Sequence, residues 1–168
     1  AIFVLGLVDD ARGLGPKTKL GVQVAVAAGL AASGIRLSTF LDAYPGGSLL
    51  QGALTVGWIV VVTNSLNLLD NMDGLCAGIA LIAGAAFVVT FYLPHPGTPE
   101  FLAARYAAML SGALAGFLVY NFHPASIFMG DSGSMFIGLS FAALALVPGS
   151  SSGRSSRLLP IVVAPVVV

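Results

Sequence analysis

The sequence predicts an all-α, polytopic integral membrane protein built as a helical transmembrane bundle. Three observations predict it. Only 7 Lys+Arg and 7 Asp+Glu stand among 168 residues, 8% charged, against roughly 25% in an average soluble domain. Hydrophobic residues make up 57% and the mean hydropathy is +0.97. The few charges are clustered, with long uncharged stretches between them. This pattern excludes a disordered chain, a soluble globular enzyme and a nucleic-acid binder with a basic footprint. The formal net charge is zero, so overall charge points to no partner.

The uncharged stretches define the elements. No charge lies between Lys19 and Arg36, Asp42 and Asp70, Asp73 and Glu100, Arg105 and Asp131, or Asp131 and Arg154. A helix crossing the hydrocarbon core needs roughly 20 mostly apolar residues, sometimes about 17. Five complete spans are therefore expected near 20–36, 49–67, 76–93, 103–121 and 134–149. Partial spans are expected at Ala1–Val8 and Leu158–Val168. The chain does not open with Met or a charged n-region, so it is not expected to begin with a signal peptide. Residues 1–168 read as one fragment of a transmembrane domain, cut from the middle of a longer polytopic protein.

The connections alternate in character. Arg36–Ser48, Pro94–Leu102 and Pro148–Arg157 are rich in Pro, Gly and Ser and read as turns and linkers, with His95 a solvated loop residue. Asp9–Lys19, Asn67–Cys76 and Phe122–Gly133 emerge together on the other side when the spans are counted. That side holds Asp9, Asp10, Asp70, Asp73 and Asp131, leaving only Asp42 and Glu100 opposite. Carboxylates gathered from three loops need a partner, and a divalent cation with a phosphate substrate is the natural one. Basic residues do not orient the bundle: Arg12, Lys17 and Lys19 flank the acidic side, and Arg36, Arg105, Arg154 and Arg157 the other.

Each polar loop has a functional and a structural reading. Asp9 and Asp10 end an apolar helix side by side, where like charges repel unless a cation intervenes. Lys17 and Lys19 follow within reach of a bound phosphate, although a helix end flanked by solvated charge would look the same. In the second loop Asn64, Asn67, Asp70 and Asp73 recur at every third residue and line one side of the segment. Their oxygens are hard ligands suited to Mg²⁺. For Asn64 a helix-packing hydrogen bond stays open beside that reading, and for Asn71 a packing or capping role is favoured. In the third loop Asp131-Ser132-Gly133-Ser134 opens a helix whose exposed backbone N–H groups would attract an anion, or whose Asp131 or Ser132 is simply the N-cap. Phe128 could stack on a base, but from its residues alone reads as core. His123, before Pro124, reads as capping or packing rather than as a ligand. Gly112 and Gly116 form a small-xxx-small pair expected to pack helices closely. Cys76, the only cysteine, allows no intrachain disulfide and reads as packing.

The runs VDDARGLGPKTKLGVQ, NSLNLLDNMDGLCAGI and YNFHPASIFMGDSGSMFIG, in that order and on one face, resemble the polyprenyl-phosphate N-acetylhexosamine-1-phosphate transferases. That superfamily includes the phospho-MurNAc-pentapeptide translocase and the bacterial GlcNAc-1-phosphate transferases of cell-wall and surface polysaccharide synthesis. The resemblance covers nearly the whole chain. It implies a fold of about ten spans, each of roughly 20 residues, in the cell membrane with its active site facing the cytoplasm. It implies transfer of a sugar phosphate from a UDP-N-acetylhexosamine to polyprenyl phosphate, releasing UMP and requiring Mg²⁺, with Mn²⁺ as a substitute. Family members often dimerise.

By motif position the resemblance makes Asp9 and Asp10 the catalytic aspartate pair, one of which deprotonates or positions the lipid phosphate, with Asp131 a third catalytic residue. Asn67 and Asp131 match metal ligands, and Lys19 a phosphate contact. Asp70 and Asp73 fall where the family approaches metal or nucleotide. Asn121 and Phe128 match nucleoside contacts, Phe128 by stacking on uracil. The family's first helices and its C-terminal basic, His-rich loop are missing from these residues. The wording LLDNMDG favours UDP-GlcNAc as donor, with UDP-MurNAc-pentapeptide as the alternative. Two other classes compete: a transporter using the aspartates for coupling, which would place them near mid-membrane, and a non-catalytic scaffold or pseudoenzyme.

Overall fold

The computed structural model describes residues 1–37, 46–91 and 98–147 as six helices. They are α1 (Ile2–Arg12), α2 (Pro16–Ala32), α3 (Gly47–Leu69), α4 (Leu75–Phe91), α5 (Pro99–Asn121) and α6 (Gly130–Leu144). α1 covers the stretch expected as a partial span at 1–8, and α2 to α6 overlap the five stretches expected as complete spans; among the described residues α3 and α5 are the two helices long and apolar enough to cross a membrane. Asp42, Pro45, Pro94, His95, Arg154, Arg157 and the apolar stretch 158–168 lie outside the described residues.

Local chemistry explains the helix ends. α1 stops at Gly13, whose φ of 65° is left-handed and whose N–H returns to Asp9 O. Two residues on, Pro16 starts α2 at its first position, where a missing N–H costs nothing. Thr98 caps α5 by accepting from Phe101 N, with Pro99 again first in the helix. α3 and α5 each have 23 residues and contain an 18-residue stretch of mean hydropathy 1.5. At 1.5 Å per residue each is about 34 Å long, enough for a hydrocarbon core of about 30 Å. Their outer faces carry exposed Leu49, Val61, Met109 and Val119, which suit lipid rather than water.

The helices pair α3 with α6, α4 with α5, α1 with α6, and α2 with α3. Phe87 stacks between Phe91 and Phe141 with centroids 5.8 Å apart on each side, joining α4 to α6. A second core gathers Ala27, Ile59, Val62, Ala142 and Leu146, and a third joins Ile2 and Leu5 to Met135. Close approach relies on other glycines than the expected pair: among the described residues, a Cβ added at Gly112 or Gly116 would meet nothing within 4 Å. A Cβ on Gly138 would instead come within 2.7 Å of Thr63 Cα, and one on Gly6 or Gly84 would collide with Ser132 backbone or Ser111 Oγ. Periodicity of small residues does not say which helix face meets a neighbour, and among the described residues the spaced pair meets none. Cys76 is buried with Sγ on Leu66 O at 3.3 Å, a packing residue.

Candidate functional site

The three polar segments meet at one end of the bundle. Lys19, in the first turn of α2, places its ammonium between two carboxylates: it pairs with Asp9 Oδ2 of α1 at 2.5 Å and with Asp131 Oδ2 of α6. Asn67, in the last turn of α3, donates from Nδ2 to Asp131 Oδ1 at 2.7 Å and approaches Ser134 Oγ at 2.9 Å. Ser134 in turn donates to Gly130 O at 2.9 Å. Four helices thus contribute to one connected polar cluster.

The electrostatics follow from this geometry. Asp9 is held down to about 2 by the Asp131 carboxyl and by Lys19, assisted by the Leu14 N–H, which reaches Asp9 Oδ1 at 2.6 Å. Burial by itself would lower the Lys19 ammonium, but its bonds and charge pairing with Asp131 and Asp9 outweigh that and raise it. Asp70, the residue that ends α3, is pushed up to about 6 by burial, opposed by the Gly130 N–H and reinforced by the charges of Asp131 and Asp10. Lys19 pairs with Asp9 and Asp131, and the carboxyls of Asp10 and Asp70 stand near them, so acidic groups outnumber the one lysine in the pocket.

Asp10 turns to the start of α6, where Oδ1 accepts from Asp131 N at 2.9 Å and Oδ2 from Ser132 N at 3.1 Å. The α6 N–H groups expected to attract an external anion therefore already hold an internal one. Asp73 accepts from Ala125 N at 3.1 Å and pairs with His123 Nδ1 at 3.0 Å. The Ala125 N–H and then His123 hold its carboxyl below the usual range. The column of polar residues at three-residue spacing therefore reaches three different places: Asn64 to α2, Asn67 and Asp70 to the start of α6, and Asp73 to the 123–125 segment.

Other expectations are redirected. Asn121, matched to a nucleoside contact, is buried, and both ends of its amide are engaged by backbone: Gly74 N at 3.1 Å and Ile127 O at 2.9 Å. It braces the segment carrying Phe128 instead of presenting its amide to a ligand. Phe128 is 76% exposed, so it is not core as its residues alone suggested. His123 neither packs nor caps; it is exposed and meets Asp73. Asn64 makes the helix-packing bond: Nδ2 donates to Gln23 Oε1 at 2.6 Å and to Val60 O at 2.8 Å. Asn71 donates to Leu68 O, the local role expected of it.

Sequence reasoning missed Gln23 and Ser134. Gln23 is buried and ties α2 to α3 beneath the site; a lone amide four residues after Lys19 in an apolar run was the available signal. Ser134 lies three residues after Asp131, one helical turn on, where it can share a partner with it.

The donor set bears on a metal. Among the described residues no three His, Cys, Asp or Glu side chains form a ready-made metal cage. Mg²⁺ needs no such cage, taking one or two carboxylates together with water and phosphate oxygens. The oxygen donors and the excess of acidic groups around Asp131 and Asn67 are of the kind that ion takes.

The fold and site define a helical membrane protein with an acidic, lysine-bridged polar centre at one end of its bundle. The chain belongs to glycosyl transferase family 4, whose family pattern matches residues 1–149. It is 37% identical over 150 residues to a Bacillus subtilis protein named probable undecaprenyl-phosphate N-acetylglucosaminyl 1-phosphate transferase, covering 87% of this chain and 41% of that one. It is 39% identical over 152 residues to the decaprenyl-phosphate N-acetylglucosaminephosphotransferase of Mycolicibacterium smegmatis, covering 84% and 37%. It is 35% identical over 180 residues to the phospho-N-acetylmuramoyl-pentapeptide-transferase of Moorella thermoacetica, covering 94% and 52%. The chain thus spans about half or less of the length of these curated relatives.

Proposed function

We propose that this chain forms the catalytic face of a multi-pass, Mg²⁺-dependent phosphoglycosyltransferase in the cell membrane. The enzyme transfers N-acetylhexosamine 1-phosphate, with GlcNAc as the first choice of sugar, from a UDP-sugar to polyprenyl phosphate and releases UMP. The site opens to the cytoplasm, where nucleotide sugars are found, in cell-wall or surface polysaccharide synthesis. The single observation that carries this reading is Lys19 bridging Asp9 and Asp131 while Asn67 holds the other oxygen of Asp131. The names of the GlcNAc-phosphate transferase relatives support the substrate class.

Phosphoryl transfer asks a protein mainly to position groups and balance charge. Asn67 and Asp131 would hold Mg²⁺, which supplies Lewis-acid stabilisation of charge on the departing UMP. Lys19 offsets repulsion between the anionic acceptor and the anionic donor. Asp9 holds Lys19 in place, and its carboxyl is poorly suited as a base because its pKa is held down to about 2. A base is not obligatory, since a lipid phosphate monoester is already largely ionised near neutral pH. Exposed Phe128 would stack on the uracil, with Asn121 bracing its segment through the Ile127 carbonyl. Asp70, beside the start of α6, and Asp73, against the 123–125 segment, would approach the nucleotide from two sides.

The test uses the full-length protein in lipid or detergent with polyprenyl phosphate, Mg²⁺ and UDP-GlcNAc, detecting UMP together with the lipid-linked sugar. Metal-dependent release, abolished by chelator and by Asp131→Ala, is the expected result. Turnover with UDP-MurNAc-pentapeptide alone would move the donor to the second reading, which the names of the pentapeptide-transferase relatives fit no better than the first. No turnover with any UDP-sugar from a folded preparation would overturn the proposal in favour of a scaffold.

A further inference from the structure

The aspartate pair divides its labour. Asp9 faces Lys19, whereas both oxygens of Asp10 are engaged by the backbone of α6. A helix leaves its first N–H groups without internal partners, and α6 supplies none from its own sequence: Met129, the residue before it, makes no side-chain cap. Gly130 there has a φ of 66°. The acceptor arrives instead from α1, 121 residues earlier in the chain. A carboxylate at a helix N-terminus gains both charge-assisted hydrogen bonds and a favourable position in the helix dipole.

The neighbouring backbone is shaped for this joint. A Cβ on Gly130 would lie 3.0 Å from Asp10 Oδ2 and 3.1 Å from Oδ1, so the carboxylate seats where only glycine leaves room. Gly6 stands four residues before Asp10, on the same face of α1, and a Cβ there would collide with the Ser132 backbone. Gly6, Asp10 and Gly130 together form a seam that presses the end of α1 against the start of α6. The residue whose N–H is gripped is Asp131, whose side chain carries the Lys19 and Asn67 contacts.

We propose that Asp10 is a positioning residue, a cap supplied across the bundle that fixes the first turn of α6 and, through it, the Asp131 carboxylate. It touches no substrate. Its role in turnover rests on the transferase reading above; the clamp itself does not. One consequence is that a substrate phosphate finds the N–H groups of Asp131 and Ser132 already occupied and must be met by Lys19 instead. Misplacing a reacting group by about 1 Å can cost roughly 10²-fold in rate, so a loosened cap lowers kcat without removing any group from the chemistry.

The experiment compares the full-length wild type with Asp10→Ala and Asp10→Asn. Amide hydrogen exchange of a peptide covering 129–134 is read without substrate, with α4 peptides as control. The expected result is exchange at least about tenfold faster in Asp10→Ala, the equivalent of 1.4 kcal/mol, with Asp10→Asn intermediate because its amide keeps one acceptor. Unchanged exchange in both variants overturns the clamp. UMP release is then measured on the same preparations. A cap predicts kcat falling in the order wild type, Asn, Ala, since asparagine is nearly as good a cap as aspartate and alanine is not. A proton acceptor predicts that Asn is as inactive as Ala, which would overturn the positioning role even if exchange changes. A wild type without turnover would sink the transferase reading, and the exchange data would still decide the clamp.

Discussion

Asn67 at the end of α3 and Asp131 at the start of α6 are joined by a 2.7 Å hydrogen bond from Nδ2 to Oδ1. That bond orients the amide so that its nitrogen is spent on Asp131 and Ser134, leaving Oδ1 as the atom that can face a cation. Asn67→Ala is therefore expected to raise the Mg²⁺ concentration needed for half-maximal UMP release by about 10–100-fold, the range seen when groups supporting a metal site are lost. Asn67→Asp should retain metal response better than Ala. An unchanged metal dependence in Asn67→Ala would remove Asn67 from the metal site.

Lys19 is the only cation in contact with both Asp9 and Asp131 among the described residues. Lys19→Met leaves two carboxylates facing each other without a counter-charge, and a loss of about 10²–10³-fold in kcat is expected, as for removal of one charge-stabilising donor. Chemical rescue by small alkylamines would support a purely electrostatic role. Activity within about twofold of wild type, far short of that loss, would exclude the lysine from the reaction.

The same contacts predict an acid dependence of stability. Asp9 is held down to about 2 in the folded protein against an ordinary value of 3.8. A group with a depressed folded pKa binds protons more readily when unfolded, so its contribution is present above about pH 4 and is lost as pH falls toward about 2. Thermal midpoints in detergent across roughly pH 2–5 should fall for the wild type over that window, and Asp9→Asn should flatten the slope. Parallel slopes would show that Asp9 is not paired as described.

Gly138 and Gly116 make opposite predictions. A methyl at Gly138 lands 2.7 Å from Thr63 Cα, backbone that cannot swing aside, so Gly138→Ala is expected to destabilise by about 1–3 kcal/mol. Among the described residues Gly116 has open space at the same position, and Gly116→Ala should be neutral or stabilise by up to about 1 kcal/mol through helix propensity. Thermal midpoints of the two variants in one detergent decide the matter, and equal effects would refute the assigned helix faces.

Phe128 and Asn121 separate binding from architecture. Phe128→Ala removes an exposed ring, so the melting midpoint should hold while KM for the UDP-sugar rises about tenfold, within the roughly 1–3 kcal/mol of a base–aromatic stack. Asn121→Ala strands the Gly74 N–H and the Ile127 carbonyl, costing about 1–3 kcal/mol of stability. If Asn121→Ala raised KM with no loss of stability, direct contact with the nucleoside would be the better account.

Much of this protein was legible in its residues. Low charge and long apolar runs between Lys19 and Arg36 or Asp42 and Asp70 determined a helical membrane bundle, because hydrocarbon tolerates only backbone that satisfies its own hydrogen bonds. Span length then determined that the loops of Asp9, Asp70 and Asp131 share one side. What tertiary structure alone decided is which atoms meet. Adjacent Asp9 and Asp10 are equivalent in sequence, yet on a helix their side chains point about 100° apart, one to Lys19 and the other to the backbone of α6. Asn64 and Asn67 share a helix face, but their depth differs, and only the deeper environment offers Gln23 as a partner. The packing glycines escaped detection for the same reason: their role depends on the surface of another helix, and a one-dimensional pattern carries no record of that surface.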